Sequence, residues 1–329
     1  MLSPVPVVLF GLGPIGQRIG QLVAERPELK LLGGVDLHPD RSGKNLGEVL
    51  GIPSLRAPIV SELTALSTPT EGGVVLHATG SSLEAVAPQL EAILSRGFDV
   101  ISTCEELSYP FFHQRALAER LDAVARKHDA TLLGTGVNPG YAMDLLPLAL
   151  TAPSRSVEQV RVERRVAAGE RREPLQRKVG AGLTLEAFQK GVAQKTIRHV
   201  GLPESAAALA AGLGWKVDAI DETIEPVLAE SRIVTRYLTV EPGQVAGVHQ
   251  IARATQGGKE RVLLDLMMSV SVPKSEDRVF LTGEPSMSMT LQGIHGDIAT
   301  AAVAINSIAS VRSARAGLLT MPDLAVVHR

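Results

Sequence analysis

Val7-Val8-Leu9-Phe10-Gly11-Leu12-Gly13-Pro14-Ile15-Gly16 is the stretch that decides the fold. Its first four residues are a short apolar run that favours a β-strand, and it leads straight into Gly-x-Gly-x-x-Gly. Ile15, Ile19, Leu22 and Val23 then recur at helical spacing until Pro27 ends the pattern. A lone Gly-x-Gly-x-x-Gly is weak evidence. Set between a strand and a helix, with Asp36 closing the next strand at 29–35, it predicts a dinucleotide site. Gly11 permits the tight turn, Gly13 lets the backbone approach a pyrophosphate, and Gly16 allows close helix–strand packing. The phosphates then meet the unpaired N–H groups at the positive end of the helix. Pro14 offers no N–H, so Ile15 is the expected backbone donor.

Working outward, strands are predicted at 73–77, 99–103 and 131–133, with helices at 83–96 and around 111–128. Ser82 is the expected cap of the first of these helices. Such alternation implies a parallel sheet covered on both faces. The pattern changes after about residue 142. Val157, Val160, Val162 and Val166 sit among charges, and strand candidates follow at 232–240, 245–254, 261–272, 278–282 and 286–291. The last of them alternates polar and apolar residues, as a half-buried strand does, and the succession suggests an antiparallel sheet. Helices are expected near 184–194 and 204–213. From Asp297 an Ala-rich helical pattern returns through Ile298, Ala301, Ala302, Ile305 and Ile308. The expected architecture is α/β: a Rossmann-type parallel-sheet domain at 1–142 and an α+β domain with a largely antiparallel sheet at 143–297. Residues 298–329 are expected to pack back on the first domain.

Composition narrows the function class. A chain of 329 residues holds two ordinary domains. Its 33 Lys+Arg nearly balance 35 Asp+Glu, which argues against a nucleic-acid or membrane-surface protein. One Trp, three Tyr and six Phe are too few rings to line a base-stacking groove and also build a core. The single Cys104 excludes a disulfide within the chain. The segment 1–6 has no positively charged n-region, and no apolar run reaches the ~18–20 residues of a membrane span. A cytoplasmic protein is the expectation. With no His-x-x-x-His, no Cys pair, no Asp-rich calcium loop and no Gly-Lys-Ser/Thr, no metal is expected. The simplest chemistry is direct hydride transfer from a nicotinamide.

Asp36 is placed to bond a ribose 2′-hydroxyl, which favours NAD. Arg41, five residues on, offers instead a partner for the 2′-phosphate of NADP, so both cofactors stay open. Reaction sites of open α/β sheets lie beyond the carboxyl ends of the strands. Three segments leave the predicted strands there. Ala78-Thr79-Gly80-Ser81 is small and polar, suited to backing the cofactor. Ser102-Thr103-Cys104-Glu105-Glu106 holds a carboxylate pair. Gly134-Thr135-Gly136-Val137-Asn138-Pro139-Gly140 places an amide in a fixed loop. Thr79, Gly80, Thr103 and Asn138 are therefore candidate cofactor contacts, and Glu105 and Glu106 candidate catalytic groups. A carboxylate facing the nicotinamide can relay an amine proton and stabilise an iminium, whereas a glutamate in a first helical turn only complements the helix dipole. Cys104 has no base assigned beside it and reads as a small buried residue rather than a nucleophile. Arg161 and Arg164 read as solvated residues of a charged strand, with carboxylate binding as the alternative.

These strings resemble a known family. The glycine loop, Ser102–Pro110 and Thr135–Asp144 are similar to the native amine dehydrogenases and their relatives, the 2,4-diaminopentanoate dehydrogenases. Both share the amino-terminal domain type of dihydrodipicolinate reductase. The likeness continues through Arg171-Arg172, Pro174-Leu175-Gln176, Lys178–Gly182, His199–Leu202, Gly296–Ala302 and Gly317–Met321. The resemblance implies NAD(P)H-dependent reductive amination of a ketone or aldehyde with ammonia, and the reverse oxidative deamination. It also implies a homodimer formed largely through the second domain, and a catalytic glutamate at Glu105, with Glu106 as the alternative. The paired-histidine and lysine motif of dihydrodipicolinate reductase has no counterpart here.

The diaminopentanoate enzymes carry polar residues before the basic pair, where this chain has Val166-Ala167-Ala168-Gly169, which favours a plainer aliphatic carbonyl. Tyr109, Tyr141 and Leu146 are the expected substrate contacts in a mostly aliphatic pocket. Two alternatives stand beside this reading: a 2,4-diaminopentanoate or related amino-acid dehydrogenase, and a non-catalytic NAD(P)-binding sensor.

Overall fold

The apolar run before the glycines is strand β1 (Val5–Phe10), and Pro14 opens helix α1 (Pro14–Ala24). The structure is a computed structural model and describes residues 3–66, 72–325 and 327–329. After α1 come β2 (Leu29–Val35), α2 (Leu46–Leu50), β3 (Ile59–Val60), β4 (Val74–His77) and α3 (Leu83–Leu94). They are followed by β5 (Asp99–Ser102), α4 (Arg115–Lys127) and β6 (Thr131–Gly134). All six strands pair in parallel, in the order β3-β2-β1-β4-β5-β6. Strands covered on both faces read as continuous apolar runs, and Val7, Val8, Leu9, Val74, Val75, Val100 and Leu132 are all fully buried. The chain winds outward in opposite directions from β1 and β4, which opens a crevice at their carboxyl ends. Helix α4 begins at Arg115 rather than near Phe111, because 111–113 is taken up by a turn. α2 and β3 are too short for periodicity to reveal.

The second part comprises α5 (Leu145–Leu150), β7 (Ser156–Ala167), α6 (Glu173–Lys178), α7 (Leu185–Ala193), α8 (Leu202–Gly212) and β8 (Ala219–Leu228). Then follow β9 (Ile233–Val234), β10 (Thr239–Val240), β11 (Val245–Gln256), β12 (Lys259–Ser269), β13 (Glu276–Glu284) and β14 (Met287–Gln292). Six of these strands form a sheet in the order β14-β13-β7-β12-β11-β8. Its neighbours are antiparallel except β7 and β12, which run parallel. The helices between β7 and β8 supply the long crossover that a parallel pairing needs. α8 packs on β8, β11 and β12, and its Leu202, Ala206 and Leu209 share a core with Val162, Val248 and Leu264. Two expectations change here. The candidate at 232–240 is a short hairpin of β9 and β10, and β8 is a further strand that carries Asp221, Glu222, Glu225 and Pro226. Those residues depress a strand signal, and an edge position tolerates them.

From Gly296 the chain forms α9 (Gly296–Asn306), α10 (Ile308–Ser313) and β15 (Gly317–Leu319). β15 pairs in parallel with β6 and makes the first sheet seven-stranded. α9 packs on α1, where Arg26 Nη2 donates to Asn306 Oδ1 at 2.8 Å. The chain thus divides into two units, Met1–Tyr141 with Gly296–Arg329, and Ala142–His295. Among the described residues no helix is long and apolar enough to cross a membrane.

Arg164 is not a solvated strand residue. It faces Asp277 across β7 and β13, Nη1 to Oδ1 at 2.7 Å, with the two side chains 5% and 4% exposed. Burial pulls the Arg164 guanidinium below its ordinary value and pushes the Asp277 carboxyl above its own; their mutual attraction opposes both shifts without cancelling them. Arg161 is exposed and pairs with Glu163. Asp277→Ala would strand a buried charge and is expected to cost about 3–5 kcal/mol in urea unfolding. Arg164→Met combined with Asp277→Leu should recover most of that loss. A single-variant cost under about 1 kcal/mol would contradict this account of the pair.

Candidate active site

The glycine loop is set by contacts that admit no side chain. Gly11 adopts φ +91°, and a Cβ there would lie 2.6 Å from the carbonyl oxygen of Ala78. A Cβ on Gly16 would lie 1.9 Å from the Gly11 carbonyl oxygen. Gly13 differs, because a Cβ there would meet nothing within 4 Å. Protein packing therefore does not require that glycine. The open space suits a pyrophosphate drawn up to the backbone. Gly13 also caps α1, whose first internal bond runs from Gln17 N–H to Gly13 O at 2.9 Å. The N–H groups of Ile15 and Gly16 precede that bond, where a helix supplies no acceptor of its own. No acidic residue sits in the first turn to oppose an anion.

Asp36 ties this loop to the end of β2. Its Oδ2 accepts Leu12 N–H at 2.7 Å and Arg41 Nε at 3.1 Å, and its Oδ1 accepts His38 N–H at 2.8 Å. Burial pushes the carboxyl up, but the His38 and Leu12 N–H bonds and Arg41 outweigh it and hold Asp36 below the ordinary carboxylate range. Asp36 and Arg41, which the sequence offers as rivals, are thus one ion pair at the place where a cofactor ribose would be read.

Three loops meet at the carboxyl edge of the sheet. Thr79 and Gly80 are exposed after β4, and the Thr79 methyl lies 2.9 Å from where a Gly11 Cβ would stand. Thr103 N–H donates to His77 O at 2.9 Å. Glu105 and Glu106 lie half-buried in a single 3₁₀ turn, Glu105–Leu107. A Cβ on Gly134 would strike the Leu107 carbonyl carbon at 2.4 Å, so the third loop sits directly against this turn. Beyond it, Val137 N–H donates to Thr300 Oγ1 of α9 at 3.3 Å, and Asn138, 9% exposed, precedes a cis Pro139.

Glu106 Oε2 accepts Leu83 N–H at 2.8 Å and Gln114 Nε2 at 2.8 Å. It therefore does the capping that the sequence assigns to Ser82, whose side chain makes no cap bond to α3. Cys104 is 1% exposed, its Sγ donates to Ser81 O at 3.2 Å, and burial pushes the thiol up to about 12. A thiol so disfavoured as thiolate is not a nucleophile. Tyr109 is half-buried and meets Phe111 edge-on at 5.5 Å, and burial raises its hydroxyl above the ordinary tyrosine value. Tyr141 is also half-buried and ends this unit, while Leu146 lies half-buried on α5 of the other.

Sequence reasoning overlooks His77. It is fully buried at the end of β4, bonded to Ser102, Gln89 and Thr79, and burial lowers it to about 4. A histidine closing an apolar run was its only signal. Among the described residues, no group of three or more His, Cys, Asp or Glu is placed to hold a metal ion.

A carboxyl whose value is depressed on folding contributes stability above its unfolded value near 4, and loses it as pH falls through the folded value. Asp36→Asn is therefore expected to cost about 1–3 kcal/mol near neutral pH. In thermal melts from pH 7 down to 3, the gap to the wild type should close below about pH 4. A gap constant across that range would show that the Asp36 charge does not hold the loop.

Residues 141–329 match the 2,4-diaminopentanoate dehydrogenase C-terminal domain. Over 99% of its length the chain is 30% identical to the 2,4-diaminopentanoate dehydrogenase of Acetoanaerobium sticklandii, of which it covers 94%. It is 21% identical to an amine dehydrogenase of Streptomyces virginiae, over 88% of this chain and 85% of that one. The solved structure of an amine dehydrogenase from Mycobacterium smegmatis shares the fold with a TM-score of 0.86 at 21% identity, covering 99% of this chain and 98% of that one. The chain therefore belongs to the 2,4-diaminopentanoate dehydrogenase family, and with it to the NAD(P)-dependent oxidoreductases.

Proposed function

We propose that this chain is an NAD(P)H-dependent amine dehydrogenase. It joins ammonia to small aliphatic ketones or aldehydes, reduces the resulting iminium to an amine, and runs the reverse deamination. The observation that carries the reading is the half-buried carboxylate pair Glu105 and Glu106 in the turn at the carboxyl end of β5. We assign the chemistry to Glu105, with Glu106, which also bonds Leu83 N–H and Gln114, as the alternative.

Gly11, Gly13, Ile15 and Gly16 would hold the pyrophosphate, and the Asp36–Arg41 pair the adenosine ribose of NAD or NADP. Thr79, Gly80, Thr103 and Asn138 would line the rest of the cofactor site. When bound, the nicotinamide supplies or accepts the hydride. Glu105 takes the proton that ammonium must lose before its nitrogen attacks the carbonyl. It returns a proton to the carbinolamine oxygen, which leaves as water, and its negative charge stabilises the cationic iminium. Tyr109 and Tyr141 provide apolar contact for the substrate. The Val166–Gly169 run is apolar, and its Val166, Ala167 and Ala168 are buried, which supports a plain aliphatic carbonyl. The second unit is assigned to substrate binding and to a homodimer, and the enzyme to the cytoplasm. A diamino-acid dehydrogenase is the second reading, favoured by the 30% identity to the Acetoanaerobium enzyme.

NADH and NADPH oxidation, followed with a panel of carbonyls with and without ammonium, tests the proposal. Turnover should require ammonium. Ammonium-independent oxidation would mark a carbonyl reductase, turnover confined to diamino acids would favour the second reading, and silence would favour a cofactor-binding sensor. Glu105→Gln should lower kcat by about 10²–10⁴-fold, and Glu106→Gln by much less. The reverse order would move the role to Glu106.

A further inference from the structure

His77 has no part in the chemistry above, yet both of its ring nitrogens are committed. Nδ1 lies 2.8 Å from Ser102 Oγ on β5, and Nε2 lies 2.9 Å from both Gln89 Oε1 on α3 and Thr79 Oγ1. Thr79 Oγ1 donates to the same Gln89 oxygen at 2.7 Å. An amide oxygen only accepts, so Nε2 carries the ring proton and donates to Gln89. Nδ1 is then an acceptor, and the Ser102 hydroxyl donates to it. The same Ser102 oxygen accepts Cys104 N–H at 3.1 Å. One consistent set of donors and acceptors thus runs from α3 through His77 and Ser102 to the backbone of the residue before Glu105.

The outer side of that turn is fixed to the same neighbouring loop. Glu106 N–H and Cys104 Sγ both donate to Ser81 O, at 3.3 and 3.2 Å. The loop after β4 and the turn after β5 are therefore held together at two places, and His77 is the inner one. Burial keeps the ring neutral, with a value of about 4, and leaves Nδ1 as an acceptor throughout the range in which amine chemistry runs.

The geometry points to His77 as a positioning residue that, through Ser102, sets the Cys104 backbone and with it the placement of Glu105 beside the Thr79 loop. This inference rests on Glu105 being the catalytic carboxylate. His77→Leu removes the bonds of both ring nitrogens at similar volume, and Ser102→Ala removes the hydroxyl that joins His77 Nδ1 to Cys104 N–H while leaving the ring's bonds to Gln89 and Thr79. In each, kcat is expected to fall about tenfold or more, because a small displacement of a reacting group is costly. In Ser102→Ala, dissociation constants for NADH and NADPH, read by nucleotide fluorescence without substrate, should stay within about threefold, since the His77–Thr79 bond and the Gly11–Gly16 loop are untouched. Combined with Glu105→Gln, either variant should add no more than about twofold to the loss from Glu105→Gln alone.

A merely structural role would lower Tm while leaving kcat of the folded enzyme intact, or would give losses that multiply, and either result overturns the inference. If His77→Leu does not fold, Ser102→Ala decides. Full kcat in Ser102→Ala alongside a disabled Glu105→Gln would overturn this inference only. Full kcat in Glu105→Gln would overturn the catalytic reading and this inference together.

Discussion

The whole site depends on an approach that only bare backbone permits. β1, the start of α1 and the end of β4 meet where a Cβ on Gly16 would lie 1.9 Å from the Gly11 carbonyl oxygen and one on Gly11 2.6 Å from that of Ala78. That contact aims the first turn of α1 at the crevice between β1 and β4. It also presents Leu12 N–H to Asp36, so the acid at the end of β2 becomes part of the loop's own framework. An acid with three such partners has little freedom to turn away, and it holds Arg41 against the end of β2.

From that corner, a run of polar contacts follows the carboxyl edge beside the apolar core that holds Cys104 and Leu107. Thr79 abuts Gly11, His77 bonds Thr79 and Ser102, Ser102 receives Cys104 N–H, and Glu106 closes the start of α3. Buried groups of this kind are costly unless every member is satisfied, so the edge behaves as a unit. Adjacent residues of one turn are tied into this edge: Cys104 is buried as a thiol, and Glu106 bonds the start of α3 and Gln114.

Much of the first unit was legible because its signals are local. An apolar run followed by spaced glycines and an acid at the next strand end is determined within about thirty residues, and β1, α1 and β2 fall where that pattern puts them. Ser82 misled because a hydroxyl beside a helix start is a good local cap, yet the carboxylate that takes its place comes 23 residues after Leu83, whose N–H it accepts. Two of the three partners of His77 are likewise 12 and 25 residues away, beyond any periodicity. β15 is three residues long and is recruited by β6 across most of the chain. In the second unit, acids and a proline hid the edge strand β8. Arg164 looked solvated because its partner Asp277 is 113 residues away.

The central claim is that an iminium, formed with the help of Glu105, receives a hydride at this sheet edge. Transfer of deuterium from 4-deuterated NADH or NADPH, in the presence of an aliphatic ketone and ammonium, tests it most directly. The account predicts deuterium on the carbon bearing the new amine, delivered from one face only. Deuterium on an alcohol carbon, or its appearance in solvent with no labelled amine, would contradict it.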